Sequence, residues 1–347
     1  MNASDKQFKS ILHDSDKKNS SLIVHVLLFV LTCASTMMAG SAWAGKNPIE
    51  ITNWIFGWTY ASLLMLFLLT HEFGHYFAAK YHGVDASLPY FIPLPIPFVS
   101  IFGTLGAYIK TRAPIPNRKA LFDIGASGPL AGFVICFAIF VYGLMNLPTI
   151  DFLYSIHPDY KELGIMYPDW GMYFGDMLLF KGLTSLLVAP GTYIPPLNEI
   201  YHYPFLCVGW FGMFVTSLNL LPLGQLDGGH IAYAMFGNKQ RVIAKIAWYG
   251  MIFLGFGSFL GWFYEQIVVE SPNQIYTILQ DIFLPTLLGI KVHADWVYSG
   301  WSGWLFWAFF TRFFIRLEHP PVQGDDIGIM RHVLGWITFI IFITTFA

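Results

Sequence analysis

The sequence predicts an all-α polytopic membrane protein with about seven transmembrane helices. Of the 347 residues, 55% are hydrophobic and 12% are charged, and the mean hydropathy is +0.55. A soluble domain has about 25% charged residues, so the composition favours one membrane bundle over the soluble domains that the length alone suggests. Lysine and arginine (19) nearly balance aspartate and glutamate (21), so we expect no nucleic-acid partner.

The apolar runs that predict these helices approach the roughly 20 residues needed to cross a bilayer. They lie at about 22–43, 53–79, 120–147, 203–222, 244–268, 296–316 and 332–347. The first run is interpreted as an uncleaved anchor. A cleaved signal peptide is the alternative, because Lys17 and Lys18 precede the run and Ala42-Trp43-Ala44 resembles a cleavage site.

The positions of the basic residues predict the orientation, since cytoplasmic loops are enriched in lysine and arginine. With the N-terminus inside, the basic residues fall on the inner side except for Lys46, Lys161, Lys181 and Lys291. The loop 149–202 then lies outside and carries acidic residues instead. We expect a multi-pass protein of a bacterial or archaeal plasma membrane, although an organelle membrane would give the same pattern.

The connection at 84–118 is too polar and too rich in proline to cross the membrane as a helix. Its β-prone second half predicts a membrane-associated β-hairpin at about 98–110. We divide the chain into an N-terminal tail with the first anchor (1–50), a membrane core (51–240) and additional C-terminal transmembrane helices (241–347).

The strongest local signal is His71-Glu72-Phe73-Gly74-His75, at the end of an apolar run. On a helix, positions i and i+4 lie on one face, so both imidazoles can bind one metal ion, and the glutamate can polarise a metal-bound water. This is the HExxH arrangement of zinc hydrolases. A chance match is the alternative, but ionisable residues inside a membrane span are costly and favour a functional interpretation.

Two histidines leave a catalytic zinc ion short of a ligand, since such sites use three protein ligands and one open position. Asp227 is the candidate third ligand, because a metal ion would neutralise a carboxylate in this largely apolar region. A helix N-cap is the alternative role for Asp227. His230 is interpreted as a supporting or interfacial histidine rather than a fourth ligand.

Together these motifs resemble the site-2 protease family of intramembrane zinc metalloproteases. The resemblance covers about 55–240 and rests on three stretches: His71–His75, the glycine-rich Gly128-Pro129-Leu130-Ala131-Gly132, and Asn219…Pro222…Leu226-Asp227-Gly228. It implies that 51–240 is a zinc protease core that cleaves transmembrane protein substrates within the lipid bilayer. The chain departs from many members of that family in having extra spans after the last of these motifs.

The resemblance also implies a role for each site residue. His71, His75 and Asp227 would hold one Zn²⁺ per chain, while Glu72 would act as the general base and then pass the proton to the leaving amine. Asn219 would donate a hydrogen bond to substrate or oxyanion, with a helix-packing amide as the alternative. The hairpin would hold an unwound substrate by strand addition, or it would form an ordinary re-entrant plug.

Two other classes of function are open to the same sequence. A membrane metal transporter or metal-sensing protein could use the same histidines and aspartate, but transporters usually show repeated halves and the two motifs here differ. The GxSG patterns at 125–128 and 300–303 match rhomboid serine proteases, yet close helix packing explains small residues there. We therefore predict an intramembrane zinc metalloprotease with its active site toward the cytoplasmic side.

Overall fold

A computed structural model describes residues 3–96, 102–164, 172–269, 274–298, 300–324 and 326–346. The described chain divides into two compact units. The first consists of Met1–Leu220 and Gln323–Ala347, and the second consists of Leu221–Val322. The functional division at residues 50 and 240 is a different partition and stays a prediction.

Helices dominate both units. In chain order they are α1 (Ala3–Trp43), α2 (Trp58–Tyr81), α3 (Arg118–Met145), α4 (Ile150–Ile156), α5 (Pro158–Leu163), α6 (Leu178–Leu187), α7 (Pro204–Asn219), α8 (Asp227–Phe236), α9 (Gln240–Val268), α10 (Gln274–His293), α11 (Gly303–Phe310) and α12 (Ile329–Thr345). Short 3₁₀ turns add Ile51–Gly57, Ile200–His202, Gly237–Lys239 and Asp295–Tyr298, and a π-turn, Thr311–Ile315, extends α11.

The helices confirm a polytopic architecture but not the predicted count. In the described part of the chain, five segments are long and apolar enough to cross a membrane: Leu22–Trp43, Ile51–Tyr81, Arg118–Met145, Asp227–Val268 and Gln274–His293. The predicted spans at 203–222, 296–316 and 332–347 correspond to shorter apolar helices. At 16 and 17 residues, α7 and α12 extend only about 24–26 Å, less than the roughly 30 Å hydrocarbon core.

Among the described residues, helix α10 is the one span-length segment that the apolar pattern did not predict. Asp281, Pro285 and Lys291 interrupt its hydrophobic sequence, and its mean hydropathy is 1.4 against 2.2 for Leu22–Trp43. A continuous helix forms there nonetheless, with the proline inside it. Polar residues that interrupt a hydropathy pattern therefore need not end the helix.

Small residues bring the helices of the first unit together. A Cβ atom at Gly209 would lie 2.7 Å from Phe140 Cβ, and one at Gly212 would lie 2.6 Å from Cys136 Cβ, so α7 approaches α3 more closely than any larger residue permits. Lipid tails are as apolar as the helix surfaces, so close packing rather than hydrophobic burial holds such helices together. This contact places α3 and α7 beside α2, which packs against both.

A two-stranded antiparallel sheet is present, but it begins earlier than the predicted hairpin. Strand β1 is Tyr90–Pro93 and strand β2 is Thr104–Tyr108, with Tyr90 opposite Tyr108 and Pro93 opposite Thr104. Residues 98–101 of the predicted 98–110 segment lie outside the described residues. The prediction missed β1 because prolines usually exclude a strand, although an edge strand tolerates them.

The sheet packs against α1. His25 Nδ1 donates to the carbonyl of Pro89 at 3.0 Å, and the rings of His25 and Tyr90 lie 4.1 Å apart. Gly103 has φ +76°, and a Cβ there would lie 2.4 Å from the carbonyl oxygen of Ser35. Both strands are thus anchored to the first helix of the unit.

The last helix, α12, rejoins the first unit through a charged network. The Arg331 guanidinium donates two hydrogen bonds to Asp123 of α3, each 2.8 Å long, and His82 Nε2 lies 2.8 Å from the same carboxylate. A planar guanidinium matches a carboxylate in this two-pronged geometry. Asp123 therefore connects the C-terminal end of α2 and the N-terminal end of α12 to the start of α3.

Candidate metal centre

The HExxH residues lie on α2, inside the helical core of the first unit. His71, Glu72 and His75 are all buried, with 4%, 6% and 7% of their surfaces exposed. The helix is continuous through Gly74, so the spacing of four residues places both imidazoles on one face. Glu72 lies three residues before His75, at the edge of that face.

The two imidazoles converge as ligands of one ion would. His71 Nε2 and His75 Nε2 lie 3.1 Å apart. Two nitrogen ligands of a tetrahedral zinc ion, each about 2.1 Å from it, are separated by about 3.4 Å. His75 Nδ1 donates to the carbonyl of Ile124 at 2.6 Å, which leaves the Nε2 lone pair available. Metal-binding histidines typically donate their other ring N–H to such a partner.

Glycines of α3 provide the space that the histidines occupy. A Cβ at Gly128 would lie 2.1 Å from His75 Nε2, and one at Gly132 would lie 3.2 Å from His71 Nδ1. Gly74 makes the reciprocal approach, since its Cβ would lie 2.6 Å from the carbonyl oxygen of Ser127. The stretch Gly128–Gly132 therefore lets α3 pass directly over the two imidazole rings. Sequence analysis noted this stretch only as a resemblance and did not predict its steric role.

Asn219 lies at the C-terminal end of α7, with its side chain directed at the same place. Its Nδ2 is 3.3 Å from His71 Nε2. The helix ends at this residue, and Pro222 follows three positions later, where it restricts the backbone before it. The amide is thus brought beside the Nε2 atom of His71. Its proposed contact with substrate stays a prediction.

Asp227 belongs to the second unit, where it is the first residue of α8. The N-cap position is Leu226, whose side chain makes no capping hydrogen bond, and Asp227 follows it as the first helical residue. Gly224, at φ +48°, allows the turn before α8, and Gly229 lets the helix pack on it.

A buried glutamine stabilises the same turn. Gln240 donates from Nε2 to the carbonyls of Pro222 and Leu317, both at 3.1 Å, and accepts from His319 N–H at 3.2 Å. The backbone that presents Asp227 is therefore held by hydrogen bonds inside its own unit. Asp227 as a third ligand stays a prediction.

His230 also finds its partner within the second unit. Its Nδ1 lies 2.7 Å from His319 Nε2, and the His319 ring stacks on Tyr233 with centroids 4.7 Å apart. The contact with His319 occupies one ring nitrogen of His230. The interpretation of His230 as a supporting or interfacial histidine stays a prediction.

Sequence analysis missed one group of ionisable residues, in the connection between α3 and α7. His157, Glu199 and His202 lie together in the first unit. The only local signal was the Glu199-to-His202 spacing of three residues, because His157 is 45 positions from His202.

Comparison with known proteins gives matches over much of the chain. A model of Peptidase family M50 matches residues 59–258. The chain is 29% identical over 276 residues to "Probable zinc metalloprotease EGY1, chloroplastic" of Arabidopsis thaliana, covering 73% of this chain and 47% of the relative. It is 32% identical over 187 residues to the protein of that name from Oryza sativa subsp. japonica, covering 54% and 29%.

A third relative carries a similar name. "Probable zinc metallopeptidase EGY3, chloroplastic" of Arabidopsis thaliana is 32% identical over 191 residues, which cover 53% of this chain and 30% of the relative. The chain thus spans about half or less of the length of these relatives. Their names give a chloroplast location, so they lend no support to the predicted bacterial or archaeal plasma membrane.

The matched residues 59–258 include the HExxH motif, the glycine-rich stretch and Asp227. They confirm the resemblance that the motifs alone predicted. With the five span-length helices, the relatives support a membrane protein. The family model matches more than half of the residues of the chain, and the chain therefore belongs to peptidase family M50, the site-2 protease family.

Proposed function

We propose that the protein is an intramembrane zinc metalloprotease of the HExxH type, which hydrolyses peptide bonds of membrane-embedded protein substrates in regulated intramembrane proteolysis. The observation that carries this proposal is the convergence of His71 Nε2 and His75 Nε2, 3.1 Å apart, beside Glu72 on a buried, span-length helix. A buried ionisable cluster in an apolar helix is costly unless it serves a function.

The donor set fits zinc. His71, His75 and Asp227 would hold one ion, which leaves the open position that catalytic sites need. Imidazole nitrogens favour zinc over magnesium or calcium, which prefer oxygen ligands. When bound, zinc would polarise the scissile carbonyl and make the attacking water more acidic.

The residues of the chain would move the proton and orient the reacting groups. Glu72 would accept a proton from the attacking water and then donate it to the leaving amine, which needs one to depart. The hydrogen bond from His75 Nδ1 to Ile124 fixes the imidazole ring in a single orientation. Asn219 would donate from Nδ2 to the substrate carbonyl oxygen as it gains negative charge.

The substrate would be a transmembrane protein segment that unwinds locally in the lipid bilayer. Hydrolysis requires an exposed carbonyl, whereas the carbonyls of an intact helix accept hydrogen bonds within it. The sheet of β1 and β2 would supply an edge for such an extended segment by strand addition. Nothing in this chemistry calls for a nucleic-acid partner.

The protein would be multi-pass, with its active site toward the cytoplasmic side, where the basic loops are expected. The kind of membrane stays a prediction. The sequence suggests a bacterial or archaeal plasma membrane, and the relatives named above are chloroplastic.

Cleavage in proteoliposomes tests the proposal. Purified protein would be reconstituted with a mixture of labelled single-span peptides of varied sequence, and the products would be identified by mass spectrometry. We expect cleavage inside the spans, loss of cleavage with a zinc chelator, and recovery when Zn²⁺ is restored. Zinc flux into the vesicles without any cleavage would favour a transporter and contradict the proposal.

A further inference from the structure

A second group of metal-binding side chains lies in the first unit, away from the HExxH residues. His157 Nε2 and His202 Nε2 are 2.9 Å apart, and Glu199 Oε2 lies 3.4 Å from the second and 3.9 Å from the first. Ligand atoms of tetrahedral zinc are separated by about 3.4 Å. The distances between the three donor atoms bracket that value. One ion can therefore contact all three atoms after small shifts of the side chains.

This group repeats the hydrogen-bond pattern of the HExxH pair. His202 Nδ1 donates to the carbonyl of Trp43, as His75 Nδ1 donates to that of Ile124. In both pairs the protonated Nδ1 leaves an Nε2 lone pair directed at a second imidazole.

The carboxylate of the group is almost inaccessible to water. The Glu199 side chain is 1% exposed, its Oε1 accepts a hydrogen bond from the Tyr160 hydroxyl at 3.0 Å, and its Oε2 lies beside the Nε2 atoms of His157 and His202. A carboxylate buried to this extent loses its hydration, which is costly for the ionised form. A cation at Oε2 would offset that cost.

We propose that His157, Glu199 and His202 form a second zinc site, separate from the HExxH site. Two imidazoles with one carboxylate make a donor set typical of zinc. Access would be from the side of His157, whose side chain is 29% exposed.

The second ion would join three parts of the first unit. His157 lies between α4 and α5, Glu199 and His202 lie at the turn before α7, and His202 is bonded to the end of α1. Asn219, beside the HExxH pair, lies at the other end of α7, about 24 Å away. The second ion is therefore structural, because it cannot reach the groups that carry out hydrolysis.

Zinc content measured in the full chain tests this proposal. The double variant His71→Ala, His75→Ala removes the HExxH ligands, so its remaining zinc reports on the second site alone. After saturation with Zn²⁺ and removal of free metal, we expect about one zinc per chain in this variant and about two in the wild type. Adding His157→Ala should remove the remaining zinc and weaken its binding at least roughly 100-fold.

His332→Ala in the same background is the matched control. His332 also pairs with a carboxylate, Asp326, at 2.9 Å, and its side chain is 33% exposed, but it belongs to neither group. The control should keep its zinc. If His157→Ala impairs folding, judged by size exclusion, the nearly isosteric Glu199→Gln replaces it.

Two results would overturn the second site. One is a His71→Ala, His75→Ala protein that binds no zinc, which would leave the HExxH proposal intact. The other is retention of zinc after His157→Ala or Glu199→Gln is added. A different result would contradict the proposed function instead. In that case the wild type would hold a single zinc ion, and the His71→Ala, His75→Ala variant would still retain it.

Discussion

Gly128→Ala should prevent zinc binding at the HExxH site by adding a single methyl group. A Cβ at residue 128 would lie 2.1 Å from His75 Nε2, and the other close atoms belong to the same imidazole. The ring would have to retreat by about 1 Å to reach a normal contact, whereas metal–ligand distances tolerate only about 0.2 Å. The hydrogen bond to Ile124 opposes that retreat.

We expect the substitution to weaken zinc binding at least roughly 100-fold, the upper end of what loss of a supporting contact costs. Helix propensity alone favours alanine over glycine by about 0.5–1 kcal/mol, so the helix itself should form. The measurement is competition with a chromogenic chelator, in a His157→Ala background so that the HExxH site alone is counted.

Gly182→Ala is the matched control. Gly182 is also in a helix of the first unit, and a Cβ there meets no atom within 4 Å. Its zinc affinity and cleavage should equal those of the wild type. If Gly128→Ala binds zinc as tightly as Gly182→Ala, the ligand atom is not the Nε2 that α3 covers, and the geometry of the site is wrong.

Three further predictions follow from the same structure. His75→Ala should lose one zinc per chain relative to wild type, by elemental analysis, and unchanged content would place the metal elsewhere. Arg331→Lys should lower thermal stability by about 1 kcal/mol, because lysine cannot make the paired hydrogen bonds to Asp123. An unchanged melting temperature would show that this partly buried pair contributes nothing. Cysteines introduced at Lys110 and Asp159 should be labelled from opposite sides of the membrane, and labelling of both from one side would contradict the predicted topology.

The HExxH geometry could be predicted because it depends on helix periodicity alone. Four residues separate His71 and His75, and any continuous helix brings such positions onto one face. The first three spans were predicted for a similar reason, since each is a long apolar run. These features are local, so the sequence suffices to specify them.

The remaining features depend on contacts between distant residues. The strand Tyr90–Pro93 is stabilised by pairing with β2 and by packing on α1, which outweigh the unfavourable prolines. The steric role of Gly128 appears only once α3 lies over His75. The group around His157 and His202 joins residues 45 positions apart. No local pattern contains any of these contacts.

Glu72→Gln, measured for zinc content and for cleavage in the same preparation, tests the central claim most directly. Glutamine keeps the shape of the side chain but cannot accept the proton of the attacking water. Zinc should therefore stay, while cleavage should fall at least roughly 100-fold, the lower end of what general acid–base catalysis contributes. Asp227→Asn is the companion variant and should lose the zinc of the HExxH site together with cleavage. Normal cleavage by Glu72→Gln would contradict the proposed hydrolysis, whatever metal the protein holds.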